Sequence, residues 1–144
     1  MVNLTMRFKP YKILWWTIPI IFLPLLLGSE SAFDIQLHDS YYVIDSLYLA
    51  LLISAILLVV GGIYWLLKNY KLINFLSAIH YVLTTMSTFG IAIVSISQTL
   101  SRGNNMEYWK PLLSIGLILI GLLVTVQIIF VTNVIIGLFR GKKQ

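Results

Sequence analysis

The sequence contains no cysteine, which excludes a disulfide framework, a thiolate metal site and a thiol nucleophile. Acid is almost as scarce. Aspartate and glutamate together number five, and all charged residues make up 10% of the chain. A water-soluble surface needs more charge than that. With 59% hydrophobic residues and a mean hydropathy of +0.93, the chain belongs to the membrane class, because apolar runs of about 20 residues span a ~30 Å hydrocarbon core. Several catalytic signatures are missing too. No glycine-rich phosphate loop follows a strand, no serine has a triad context, and no HExxH occurs, so a conventional hydrolase or transferase is not the expectation. There is no internal repeat, low-complexity tract or second domain.

What is present is a series of apolar runs. Without water to satisfy the backbone, such runs form helices, and four spans are expected at about 13–28, 45–67, 72–98 and 111–139. The first is short, carries Pro19 and Pro24, and is expected to kink at them. A basic lead-in before it and small residues after it also fit a secretory signal peptide; the expectation is a retained first helix. Ser46, Ala50, Ser54 and Gly61 share one face of the second span, where small residues let helices approach. Pro111 suits the first turn of the fourth helix, which is longer than it needs to be and should tilt or project.

The net charge of +5 is distributed as membrane topology, not as a nucleic-acid footprint. Arg7, Lys9, Lys12, Lys68, Lys71, Arg140, Lys142 and Lys143 fall on the two termini and the second-to-third turn. The other two connections hold Arg102, Lys110 and all the acids: Glu30, Asp34, Asp39, Asp45 and Glu107. The positive-inside rule then puts both termini in the cytoplasm. The expected architecture is all-α: one integral membrane domain over 1–144, a four-helix bundle with a structured outer loop between helices 1 and 2. Tyr41, Tyr42, Tyr48, Tyr108 and Trp109 would form an outer aromatic belt, and Trp15, Trp16, Tyr64, Trp65 and Tyr70 an inner one.

The segment from Asp34 to Trp65 contains His38-Asp39-Ser40-Tyr41-Tyr42-Val43-Ile44, then Asp45-Ser46-Leu47-Tyr48, and closes on Gly61-Gly62-Ile63. It resembles subunit I of the haem–copper oxidases, where an H-D-T-Y-[YF]-V-V-A-H-F-H-Y-V-L segment leads into a transmembrane helix that closes with G-G-F. The register is ungapped from His38 to the glycine pair, and the orientation matches the one deduced from charge. The family's two axial haem ligands fall here on Ser46 and Tyr48. Serine cannot replace an imidazole at haem iron, and tyrosine is a different ligand. The resemblance therefore implies a relative without the catalytic centre.

Two histidines are the candidate sites. The resemblance implies a non-redox magnesium or manganese at His38-Asp39, to which Glu30, Asp34 or Asp45 could add oxygen ligands. The plainer reading is a loop scaffold in which Asp39 or Asp45 caps the second helix. His80 lies inside the third span, where an ionisable residue defaults to a functional hypothesis. At about 100° per residue, Ser77, His80, Thr84, Ser87, Thr88, Ser95 and Gln98 line one face, interrupted by Ile91. That face should turn toward the bundle or a partner. His80 suits interhelical packing, haem ligation shared with a second copy in a dimer, or a proton-relay or quinone site. Ser114, Gly121, Thr125 and Thr132 would supply the matching face on the fourth helix, with Gln127 and Asn133 off it and able to reach another subunit.

The leading expectation for function is a non-catalytic accessory or structural subunit related to oxidase subunit I. It would contact membrane lipids and other integral membrane subunits, a respiratory complex being the partner that the resemblance implies, in a bacterial inner membrane or an organelle-type energy-transducing membrane. It would bind no nucleic acid, hold no cofactor of its own, and admit a homo-oligomer. The alternatives are a small haem- or quinone-binding redox dimer using His80, and a structural subunit of an unrelated membrane machine.

Overall fold

A computed structural model describes residues 9–27, 32–101 and 109–142. Four helices and one strand pair follow in the order α1 (Pro10–Leu27), β1 (Ala32–Leu37), β2 (Ser40–Asp45), α2 (Ser46–Leu66), α3 (Asn74–Ser101) and α4 (Trp109–Arg140), with a 3-10 turn at Leu67–Asn69 after α2. Three of the helices are long and apolar enough to cross a membrane: Ser46–Asn69, Asn74–Gln98 and Pro111–Arg140. α1 opens with Pro10 in its first turn, where a missing N–H costs nothing. It then runs on as one helix through Pro19 and Pro24. Inside that stretch the Thr17 hydroxyl donates to the Ile13 carbonyl at 2.8 Å.

An all-α architecture with an outer loop has to be corrected at one place. The segment around His38-Asp39 is an antiparallel hairpin, with Ala32 paired to Asp45 and Leu37 to Ser40. Its physical basis is visible in the residues. Tyr41, Tyr42, Val43 and Ile44 are β-formers, and the two strands are separated by a two-residue turn. β1 is buried over Ala32–Ile35 because it packs against α3 and α4, while β2 lies on the outside. Asp45 ends the hairpin and starts the next helix, its carboxylate accepting from the Leu47 N–H at 2.7 Å. A carboxylate there satisfies an orphan donor.

α1 packs against α2 and α3, and α3 against α4. The contacts are knobs on glycine sockets. A Cβ added to Gly61 of α2 would lie 2.7 Å from Trp15 Cδ1 of α1, and one on Gly116 of α4 would lie 2.7 Å from Phe33 Cζ of β1. Leu14, Ile21, Phe33, Leu57, Tyr64, Ile91, Leu123 and Phe130 belong to a single buried cluster joining all four helices to the hairpin. Tyr64 is thus a core residue and not part of an interfacial belt. Its ring meets Phe130 edge-on at 5.1 Å, while Trp16, Trp65, Tyr41, Tyr42 and Tyr48 are exposed.

The hairpin and the Lys68–Lys71 connection mark opposite ends of the molecule. At the second of these, α4 stops at Gly141, whose φ of 73° is a left-handed cap suited to glycine. The chain then pairs back on the α2–α3 connection. Tyr70 bridges Lys142, and the Lys71 N–H donates to the Gly141 carbonyl at 3.1 Å.

Candidate functional site

The candidate site is the polar seam of α3. Sequence periodicity placed Ser77, His80, Thr84, Ser87, Thr88, Ser95 and Gln98 on one face, and all seven are buried. Ile91 shares their burial and divides the seam into two halves.

In the first half His80 is wholly buried and stacked beside Phe130 at 5.1 Å. Its tautomer follows from its neighbours. The Gln127 side-chain amide donates to the Leu123 carbonyl at 3.0 Å, which turns Gln127 Oε1 toward His80 Nε2 at 3.3 Å. An amide oxygen only accepts, so Nε2 carries the proton, with Thr84 Oγ1 a second acceptor at 3.3 Å. Nδ1 is then an acceptor, and the Tyr64 hydroxyl donates to it at 3.3 Å. A buried neutral imidazole with partners at both nitrogens is a tie between α2, α3 and α4. Ligating an iron would require it to give one of them up.

At each end of the seam a side-chain amide does the work of a peptide group. Gln98 of α3 accepts from the Asp34 N–H at 2.9 Å and donates to the Asp34 carbonyl at 3.1 Å. It satisfies the outward edge of β1, as a third strand would. Asn133 of α4 accepts from the Ile73 N–H at 2.9 Å and donates to the Ile73 carbonyl at 3.3 Å and the Ser77 hydroxyl at 2.8 Å. It thereby closes the start of α3. Between the ends, the Ser46 and Ser95 hydroxyls share a 2.7 Å hydrogen bond.

This arrangement reverses the expectation for α4. Gln127 and Asn133 point inward, and Ser114, Gly121, Thr125 and Thr132 face outward. The reason is reach. The Thr125 and Thr132 hydroxyls donate to the carbonyls four residues back, at 2.7 and 2.8 Å, so each is satisfied within its own helix. A primary amide has two donors and an acceptor to place and needs the neighbouring helix.

His38 and Asp39 occupy the turn of the hairpin, 3.2 Å apart and almost fully exposed. Asp45, which was a candidate further ligand, pairs at the far end of the hairpin and is engaged as a helix cap. Asp34 is buried in β1, and Glu30 lies outside the described residues. At ~3.3 Å per strand residue, Asp39 and Asp45 are separated by about 20 Å. Among the described residues no three His, Asp or Glu side chains gather as a metal-binding group. At the start of α2, Ser46 is buried with its hydroxyl against that of Ser95, and Tyr48 is exposed.

A void of about 10 Å³ between α1, α2 and α3 is lined by Ile21, Ile53, Thr88, Ile91 and Ser95 among others. That is about the volume one water needs, and an apolar wall would leave it dry. No protein-family model, curated protein or solved structure matches the chain.

Proposed function

We propose that this chain is a non-catalytic integral membrane protein: a four-span bundle with both termini in the cytoplasm and the hairpin on the outer side, serving as a structural or accessory subunit of a membrane complex. One observation carries the reading. Every amide and imidazole of the α3–α4 seam that would be costly in lipid is hydrogen-bonded inside the chain, and the exterior is apolar. Ile115, Ile118, Val124, Ile128, Val131, Ile135 and Leu138 are exposed along α4, a surface made for lipid or for another transmembrane helix. On that exterior, Gly121, Thr125 and Thr132 form a lane of small residues within about 40° of arc. Gly121 has open space above it, and such lanes let a second helix approach closely. Kinship with haem–copper oxidase subunit I rests on residues 34–65 alone and makes a respiratory complex the first partner to look for.

The test is purification of the tagged chain in mild detergent, with mass spectrometry of co-eluting proteins and an oxidised and dithionite-reduced visible spectrum. The expected result is a colourless chain that brings membrane subunits with it and loses them on Gly121→Leu. A Soret band stoichiometric with this chain and abolished by His80→Ala would overturn the non-catalytic reading in favour of a small haem protein. Quinone extracted in stoichiometric amount would do the same.

A further inference from the structure

The hairpin has two edges, and the chain treats them differently. Gln98 takes both backbone groups of Asp34 and so closes the outward edge of β1. Val43 lies directly across the ladder from Asp34. In an antiparallel pair, opposite residues either bond each other or both point away, so the Val43 N–H and carbonyl leave by the other edge. Among the described residues neither group has a hydrogen-bond partner. Edge strands are usually guarded by lysine, proline or a bulge. β2 runs Ser40-Tyr41-Tyr42-Val43-Ile44-Asp45 in unbroken register with β1 and carries none of these. Tyr41 and Val43 are exposed on one face and Tyr42 on the other, Val43 at 59%. Water can solvate the edge, but it gains nothing from apolar side chains on both of its faces.

An open edge of this kind takes another strand, and the residues of β2 decide how a second copy fits. Outward-pointing residues recur at every second position, Tyr41, Val43 and Asp45, so two β2 strands pair only with these positions set against one another. Centring the pair on Tyr42 puts Asp39 directly against Asp45 of the copy, and like charges in that position are destabilising. Centring it on Ile44 shortens the overlap to Val43–Asp45. Centring it on Val43 sets Val43 against itself, Tyr41 against Asp45 and Tyr42 against Ile44, with no acid facing an acid. The two valines then exchange both backbone bonds, and aromatic and β-branched side chains meet across the strands. A two-fold axis along the membrane normal relates copies inserted the same way round and reverses any strand lying across it, which makes the contact antiparallel and isologous. A two-stranded hairpin is marginal in water, and a sheet of three or more strands is not. We propose that the open edge of β2 pairs antiparallel with β2 of a second copy, centred on Val43, and joins the two hairpins into one sheet across a dimer interface.

The chain has no cysteine, so single cysteines report the contact without background. Val43→Cys, Tyr42→Cys and Val59→Cys are oxidised with copper phenanthroline in native membranes, and the mass of the full wild-type chain is read by native mass spectrometry in mild detergent. No other protein enters either assay, so failure here leaves the subunit reading, which co-purification tests, untouched. Val43→Cys should give a disulfide dimer, because residues directly opposed across a bonded pair bring their Cα atoms to about 5.5 Å, within reach of a disulfide. Tyr42→Cys, set off the axis, and Val59→Cys, on the exposed side of α2, should not. Val43→Pro removes the outward N–H and keeps the ladder bonds at Phe33–Ile44 and Ile35–Tyr42, a substitution that edge strands tolerate. It should raise the dimer dissociation constant about thirtyfold for two lost backbone bonds, with an unchanged circular dichroism spectrum showing that the bundle is intact. A chain that is monomeric and gives no disulfide at Val43→Cys, or a dimer that Val43→Pro leaves as tight as before, would overturn the paired edge. A stronger disulfide at Tyr42→Cys would overturn the register. Hydrogen-exchange protection of the Val43 amide in a single copy bound to a different protein would give the edge to a foreign strand and overturn the second copy as its occupant.

Discussion

The clamp between Gln98 and Asp34 can be cut without touching the apolar core. In Gln98→Leu the side chain keeps a similar volume, and the Asp34 N–H and carbonyl both lose their partner. Each net hydrogen bond is worth about 0.5–1.5 kcal/mol, so the local opening energy of β1 should fall by about 2 kcal/mol. Because amide exchange follows local opening, that corresponds to roughly thirtyfold faster exchange of the Asp34 amide. The fold supplies its own control. Ladder bonds alternate along an antiparallel pair; if Asp34 faces Gln98, Phe33 and Ile35 face β2 across their pairings with Ile44 and Tyr42. Their amides should exchange faster only by the amount the whole hairpin loosens. Gln98→Glu retains an acceptor for the Asp34 N–H and places a carboxylate near the Asp34 carbonyl, so it should fall between wild type and Gln98→Leu. The assay is residue-resolved hydrogen exchange in detergent micelles. An Asp34 amide whose exchange is unchanged in Gln98→Leu would refute the role given to the glutamine.

At the other end of α3, Asn133→Leu leaves the Ile73 N–H without its acceptor and should destabilise the protein by about 1–3 kcal/mol, read as a lowered melting temperature; Thr125→Val and Thr132→Val, whose hydroxyls bond only their own helix, should stay within about 0.5 kcal/mol of wild type. Tyr64→Phe retains the ring stacking on Phe130 and removes the donor to His80 Nδ1; it should cost about 1 kcal/mol in the same melt. Gly116→Ala sets a Cβ 2.7 Å from Phe33 Cζ and should cost about 1–3 kcal/mol through overpacking, part of it recovered by adding Phe33→Leu. His38 has a φ of 54°, a conformation that costs a non-glycine residue about 1–2 kcal/mol, so His38→Gly should raise the melting temperature, and EDTA should change neither protein's melt.

The helices were legible because apolar length is a strong signal: the expected limits of all four lie within three residues of the observed ones. The inward face of α3 was legible for a similar reason, since seven polar residues at helical spacing have one low-energy direction to point. The hairpin was harder. Its turn, His38-Asp39, lacks the glycine or asparagine that marks tight hairpins, although the β-forming run Tyr41–Ile44 just past that turn was the available clue. The face of α4 was misassigned because periodicity registers where polar residues sit and not how far they reach. A threonine is satisfied by its own helix, and an asparagine is not. Tyr64 sits near the end of an apolar run, where composition alone favours an interfacial place; its partners His80 and Phe130 come from other helices, which no local pattern reveals.

The Gln98–Asp34 pairing joins residues 64 positions apart. During synthesis, β1 leaves the ribosome long before α3 does. Until Gln98 arrives, the edge of β1 has no protein partner, and neither α3 nor α4 is there to cover Phe33. Burial of the hairpin is therefore a late event in biogenesis despite its early place in the chain. A nascent protein halted anywhere before α3 exposes a sticky strand edge and an aromatic wedge, the features that quality-control proteases and chaperones recognise.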